Sequence, residues 1–178
     1  MLEVLIEGCE QYDESTNSFI QIKSQTLKLE HSLLSISKWE SRWHKPFVNK
    51  ETKTTEEVID YIQCMTINNV DDAIYQCIDD NIFKIINEYI SDSMTATTFN
   101  DVNSGPSREI ITSEIIYYWM IAHNIPFECE KWHLNRLLTL VKVCNNKNNP
   151  GKKMSRSEII QRNKELNNKR RMAMNSKG

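Results

Sequence analysis

Cys129 and His133 stand four residues apart in a segment with helical patterning. That spacing would set a thiolate and an imidazole on one helix face. Zinc takes three or four such ligands, and His31, His44 and His123 have no paired spacing to complete a set. The pair therefore reads as helix-surface or boundary residues. Glu128-Cys129-Glu130-Lys131, beside Pro126, gathers two acids and a lysine, the combination with which nucleases hold magnesium. Such a site needs a further acid on an adjacent strand, and the pattern here predicts none. Acids in a first helical turn are the ordinary complement to the helix dipole. No G-x-S-x-G occurs, and no cysteine has neighbours that would lower its thiol pKa. Glycine at only Gly8, Gly105, Gly151 and Gly178 cannot build a phosphate-cradling loop. No catalytic, cofactor-binding or metal-binding residue is assigned, and the chain is read as a protein without an active site.

Binding chemistry is better represented. Trp39 and Trp43, one helical turn apart, are interleaved with Arg42, His44 and Lys45, with Phe47 just past Pro46. Aromatics among bases can stack on nucleic-acid bases, while tryptophans at i and i+4 more often make a core or a partner-facing ridge. Trp119 and Trp132 lie on two further apolar segments. From Lys147 onward there are ten Lys and Arg residues against Glu158 and Glu165, a charge of +8 that leaves −10 on the preceding 146 residues. Such a tail, carrying Lys152, Lys153, Arg156, Lys169, Arg170 and Arg171, suits nucleic acid or an acidic protein surface. Its apolar stripe is too thin for strong membrane insertion.

The bulk properties bound these readings. A chain of 178 residues can bury one sizeable core beside a tail. Four glycines and four prolines are too few for a sandwich or barrel with many tight turns. Cys9, Cys64, Cys77, Cys129 and Cys144 are odd in number and never paired as C-x-x-C, so they read as buried thiols in a reducing compartment. The first residues carry acids where a signal peptide needs a basic flank, and no run reaches the length of a membrane span. The expectation is a protein that stays inside the cell that makes it.

The elements that must position these residues are mainly helical, an α+β class. Met1–Ile6 and Phe19–Lys23 read as a β-hairpin, with further strand character at Thr26–Leu29. A hairpin alone is marginal, so it must pack on a bundle of about five or six helices. One helix carries Leu29, Leu33, Ile36 and Trp43 and ends at Pro46. The next is opened by a Thr54/Glu57 capping box, and residues 71–89 hold two short amphipathic pieces. Residues 91–106 read as the longest loop of the body. A helix capped by Ser107 runs through Ile110, Ile115, Tyr118, Trp119 and Ala122, breaks at residues 124–127, and pairs antiparallel with a second helix from about Glu128 to Cys144. That pair is expected at the centre of an acidic domain spanning 1–146. Residues 147–178 form a polar linker, a basic helix capped by Ser155 with Glu158, and a frayed end from Met172.

Several of these segments resemble the tail assembly chaperones of tailed (siphophage-type) bacteriophages. They include Ser35-Ile36-Ser37-Lys38-Trp39-Glu40-Ser41, Lys45-Pro46-Phe47, Asp60-Tyr61-Ile62-Gln63-Cys64-Met65 and Met94-Thr95-Ala96-Thr97. The longest is Ser113-Glu114-Ile115-Ile116-Tyr117-Tyr118-Trp119-Met120, leading to Ile125-Pro126-Phe127-Glu128 and Lys131-Trp132-His133-Leu134-Asn135-Arg136-Leu137. The resemblance covers most of the chain. It implies a non-catalytic binding role in the cytoplasm of the infected bacterial host: coating the tape measure protein, keeping it soluble and recruiting tail tube subunits. The surface for that role would be the Trp39/Trp43 ridge, or a groove beside the two long apolar helices. Large exposed aromatics would also favour self-association. A structural or nucleic-acid-binding virion protein acting through the basic tail is the other reading.

Overall fold

The computed structural model describes residues 1–13, 17–49, 52–99, 110–148 and 156–174. Four short strands precede six α-helices, with 3-10 segments at Asp72–Cys77 and Phe127–Lys131. Among the described residues, no helix is long and apolar enough to cross a membrane. The chain divides into two compact units, Met1–Val143 and Cys144–Gly178.

The expected N-terminal strand pair packed on helices is present, but the first strand's partner is Gln25–Leu29 and not Phe19–Lys23. Strand β1 (Leu2–Ile6) runs antiparallel to β4 (Gln25–Leu29), while β2 (Glu10–Asp13) and β3 (Ser18–Gln21) make a second, shorter ladder. Burial sets the outer register. Val4 and Ile6 alternate inward opposite a strand that buries Leu27 and Leu29, and a one-residue slip would turn all four to solvent. Directly opposed Glu3 and Lys28 form an exposed ion pair at 3.2 Å. Between the ladders the chain passes so close to itself that a Cβ on Gly8 would lie 2.2 Å from the Ile22 carbonyl oxygen. Only glycine fits there.

Helix α1 (Leu33–Trp43) opens with a Ser32/Ser35 capping box and ends at His44, whose φ of 52° turns the chain out of the helix. Leu29, assigned by its spacing to this helix, belongs to β4. Helix α2 (Thr55–Met65) carries the expected Thr54/Glu57 capping box. The two amphipathic pieces are the segment Asp72–Cys77 and α3 (Asp80–Ser91), capped by Asp71 and Asp79. Helix α4 (Ser113–Ala122) starts later than proposed, because residues 110–112 are not helical; Ser107 lies outside the described residues. Asn124, at φ 51°, makes the break. Instead of a helix from Glu128 there is the 3-10 segment, and α5 (Leu134–Asn148) begins after it.

The centre of the first unit is α1, not an α4–α5 pair. Helix α1 packs against α2, α4 and the 127–131 segment. It buries Leu33, Ser35, Ile36, Trp39 and Glu40. Helix α5 instead docks at its start on the end of α3. Asn135 Nδ2 donates to the Ile90 and Asp92 carbonyls at 3.0 and 2.7 Å, and His133 Nε2 donates to the Tyr89 carbonyl at 3.0 Å. Leu134, Leu137 and Val141 provide its buried face.

Glu40 does unusual work for a carboxylate that is only 8% exposed. One oxygen accepts the Phe47 N–H at 2.7 Å and the other the Ser113 N–H at 2.8 Å. Thr112 gives α4 no side-chain cap, so Glu40 supplies the missing acceptor from another helix.

The cysteine reading is corrected in part. Cys9 and Cys77, 68 residues apart, form a disulfide with their Cα atoms 5.6 Å apart, tying the second ladder to the 72–77 segment. Cys64 and Cys129 are buried free thiols and Cys144 is a half-buried one. The second unit is described by α6 (Arg156–Met174), exposed wherever its side chains are described. Its helix continues through Met172–Met174, which the sequence pattern took as frayed; Ser155 lies outside the described residues.

Two outcomes test these ties. Glu40→Ala, which leaves two donors unpaired, should lower unfolding stability by about 3 kcal/mol in urea melts, whereas a surface control such as Glu56→Ala should change it little. Reducing the disulfide should lower stability by up to about 4 kcal/mol, the loop-closure value for a loop of this length, and Cys9→Ser/Cys77→Ser should reproduce that loss without reductant.

Candidate protein-binding surface

The Trp39/Trp43 pair faces α2. Trp39 is 1% exposed and its Nε1–H donates to the Glu57 carbonyl at 2.8 Å. Trp43, half-buried, donates through Nε1 to Asp60 Oδ2 at 2.9 Å, and Arg42 bonds the other Asp60 oxygen. A buried indole must find an acceptor, and α2 offers two, one turn apart. The indole rings stack at 6.1 Å, and Phe47 sits edge-on to Trp39 at 5.2 Å. Lys53 covers Phe47 at 4.4 Å from its ring centre and donates to the Phe47 carbonyl at 2.8 Å. Lys45 pairs with Glu57. That hydrogen bond, followed by the one from the Thr54 N–H, holds the Glu57 carboxyl below its ordinary range. The bases beside the tryptophans thus already have partners within the fold.

Behind Phe47 lies a layer of buried Tyr61, His31 and Tyr89 with the half-buried His133. His31 Nδ1 shares a hydrogen bond with the Tyr61 hydroxyl, and the two histidine rings meet edge-on at 4.9 Å. The His31 carbonyl accepts the Leu134 N–H at 2.9 Å. Burial, reinforced by the neighbouring His133, pulls the His31 pKa down to about 3, and burial also lowers His133. Burial pushes the Tyr61 hydroxyl up from its ordinary value. Among the described residues, His133 Nδ1 is buried with no hydrogen-bond partner. Cys129 falls in the 3-10 segment and His133 just before α5, so they do not share a helix face. No group of three or more His, Cys, Asp or Glu that could hold a metal occurs among the described residues.

One open apolar surface among the described residues is on α4. Its inner face, Ser113, Ile116 and Met120, is buried. On the opposite side Tyr118 and Ile121 are 65% and 60% exposed. Tyr117 is half-buried between them and the following segment, with Phe127 at 6.4 Å from its ring and itself 56% exposed. A helix apolar on every side is normally enclosed; among the described residues this one is covered on one side only. Acids surround the patch. Glu114 precedes Tyr118 by one turn, Glu128 follows Phe127, and Glu130 accepts the Tyr117 hydroxyl at 2.8 Å. Burial and Glu130 push that hydroxyl up to about 12.

The other residues singled out from sequence are scattered. Trp119 is half-buried on α4, and Trp132, half-buried, has the Arg136 guanidinium over its ring at 4.2 Å. Arg156, Lys169, Arg170 and Arg171 are exposed on α6, while Lys152 and Lys153 lie outside the described residues. Tyr118, Ile121 and Phe127 escaped the sequence reading because an evenly apolar segment gives no sign of which side is covered.

Buried His31 gives the protein a sign-defined acid response. An unfolded histidine titrates near 6.5, so between that pH and about 3 the unfolded chain takes up a proton at His31 that the folded chain refuses. The contribution is whole above pH 6.5 and is lost as pH falls. Urea melts should show about 2 kcal/mol less stability from this source at pH 5 than at pH 7. A His31→Phe variant, even if less stable throughout, should have a flatter acid limb over that interval.

No protein-family model matches the chain, and no curated protein or solved structure matches it.

Proposed function

We propose that this chain is a protein-binding chaperone of the phage tail assembly type, and that the outer face of α4 holds its client helix. The observation that carries the reading is the half-covered helix: Tyr118 and Ile121 stay exposed on an element whose other side is seated in the core. A client helix lying along that face would bury its own apolar stripe in exchange, the helix-in-groove mode of recognition. Glu114, Glu128 and Glu130 around the patch favour a client with Lys or Arg flanking its apolar stripe. The segments that resemble tail assembly chaperones include residues 113–120 and 125–137, which span this same face. The client is then the tape measure protein, kept soluble in the cytoplasm of the infected bacterium until tail tube subunits replace the chaperone. A surface of this size also admits a second copy of the chain when no client is present.

Co-expression with the tape measure protein encoded beside it tests the reading. The native chain should bring the tape into the soluble fraction and co-purify with it. Tyr118→Glu/Ile121→Glu should abolish both effects while leaving the thermal midpoint within a few degrees, since both positions are exposed. Substituting Trp43 should affect stability before it affects client binding. Undiminished solubilisation by the double variant would rule out this face.

A further inference from the structure

The second unit carries a surface of its own, and the distribution of charge around α6 says what it fits. Between Arg156 and Met174 the helix has six bases and two acids. At 100° per residue they separate into two strips. Arg162 and Lys169 flank Glu165 at i−3 and i+4, the spacing at which helical side chains neutralise one another. Position 158, the other acid, falls on the same strip by its i−4 spacing to Arg162. Arg156, Lys164, Arg170 and Arg171 fall within about 120° of arc on the opposite side, with Asn163 and Asn167 between them. All six of these side chains are exposed, and no ion pair engages any of the four bases among the described residues. By spacing, the helix thus sets its acids beside two bases on one side and leaves four bases and two amides, with the exposed Ile160 among them, on the other.

We propose that this face of α6 binds double-stranded DNA, lying in the major groove with the four bases on flanking phosphates and Asn163 and Asn167 toward the groove floor. The dimensions agree. Arg156 and Arg171 are separated by about 22 Å along the axis at 1.5 Å per residue, within one turn of the duplex. The B-form major groove, about 12 Å wide, admits an α-helix, whereas the deep groove of double-stranded RNA does not. A helix exposed along its length, with amides between arginines, presents donors and acceptors that base edges can meet, beside charges that phosphates can meet. An acidic protein surface would use the charges and leave the amides idle. The surface is independent of the α4 client face, so either can fail without the other.

Fluorescence anisotropy of the full chain on a labelled 30-base-pair duplex DNA, across a salt series, tests the inference. The native chain should bind with a slope of log affinity on log salt of about −3.5, as four phosphate contacts require. Arg156→Gln/Lys164→Gln/Arg170→Gln/Arg171→Gln should weaken binding at least about 30-fold and flatten the slope, while Arg162→Gln/Lys169→Gln should change affinity less than about 3-fold. Glutamine keeps helix propensity near that of the bases it replaces, and circular dichroism of both variants shows whether α6 is retained. Equal losses from the two sets would mean net charge without a binding face, and would overturn the proposal. So would absence of duplex binding at low salt, or equal affinity for poly-glutamate, which would mark an acid-binding tail. Asn163→Ala/Asn167→Ala should reduce the preference for one duplex sequence over another and leave the salt slope unchanged. Equal affinity for single-stranded DNA would overturn the groove assignment.

Discussion

The Glu40 carboxylate, buried on α1, divides its two oxygens between the Phe47 and Ser113 N–H groups, which belong to segments 66 residues apart in sequence. A buried carboxylate is tolerated only when it is well bonded, and these backbone donors are what it has in place of water. Each bond fixes something. The first folds the 45–47 loop back so that Phe47 reaches Trp39 and Tyr61. The second anchors the first residue of α4 on α1, beside the buried side chains Ile116 and Met120. With Ser113, Ile116 and Met120 committed to the core, Tyr118 and Ile121 have only solvent or a partner to face.

The two aromatic clusters of the first unit contrast for the same reason. Trp39, Trp43, Phe47 and Tyr61 form a closed set in which each indole N–H has an acceptor on α2 and the nearby lysines are engaged. Trp39 and Tyr61 are buried in that set, while Trp43 and Phe47 are half-buried. Tyr117, Tyr118, Ile121 and Phe127 form an open set, apolar at its centre and acidic around it. The tryptophans looked like the better binding residues in sequence because aromatics interleaved with bases suggest recognition. Their bases instead make contacts within the fold. The aromatic-rich stretch 117–119 has a side left uncovered among the described residues.

Much of the architecture follows from interactions that span only a few residues. The Thr54/Glu57 cap, the division of 71–89 into two pieces, the end of α1 before Pro46, the break within 124–127 and the basic character of α6 are all set by side chains within a turn of the backbone they act on. These were legible because capping, helix periodicity and net charge are local properties. The mainly helical class, with a strand pair at the N-terminus, was legible on the same ground. What only the tertiary structure decided involves residues far apart in the chain. That β1 joins β4 and not the nearer strand, that Cys9 meets Cys77, and that α1 and not an α4–α5 pair holds the centre all depend on which buried surfaces match in three dimensions. The orientation of α4 is the clearest case. Its apolar residues go all the way round, so periodicity could not choose a face. The Glu40 carboxylate, 73 residues earlier, holds its first N–H, and the burial of Ile116 and Met120 selects the inward face; periodicity was silent because both depend on residues brought together only by the fold.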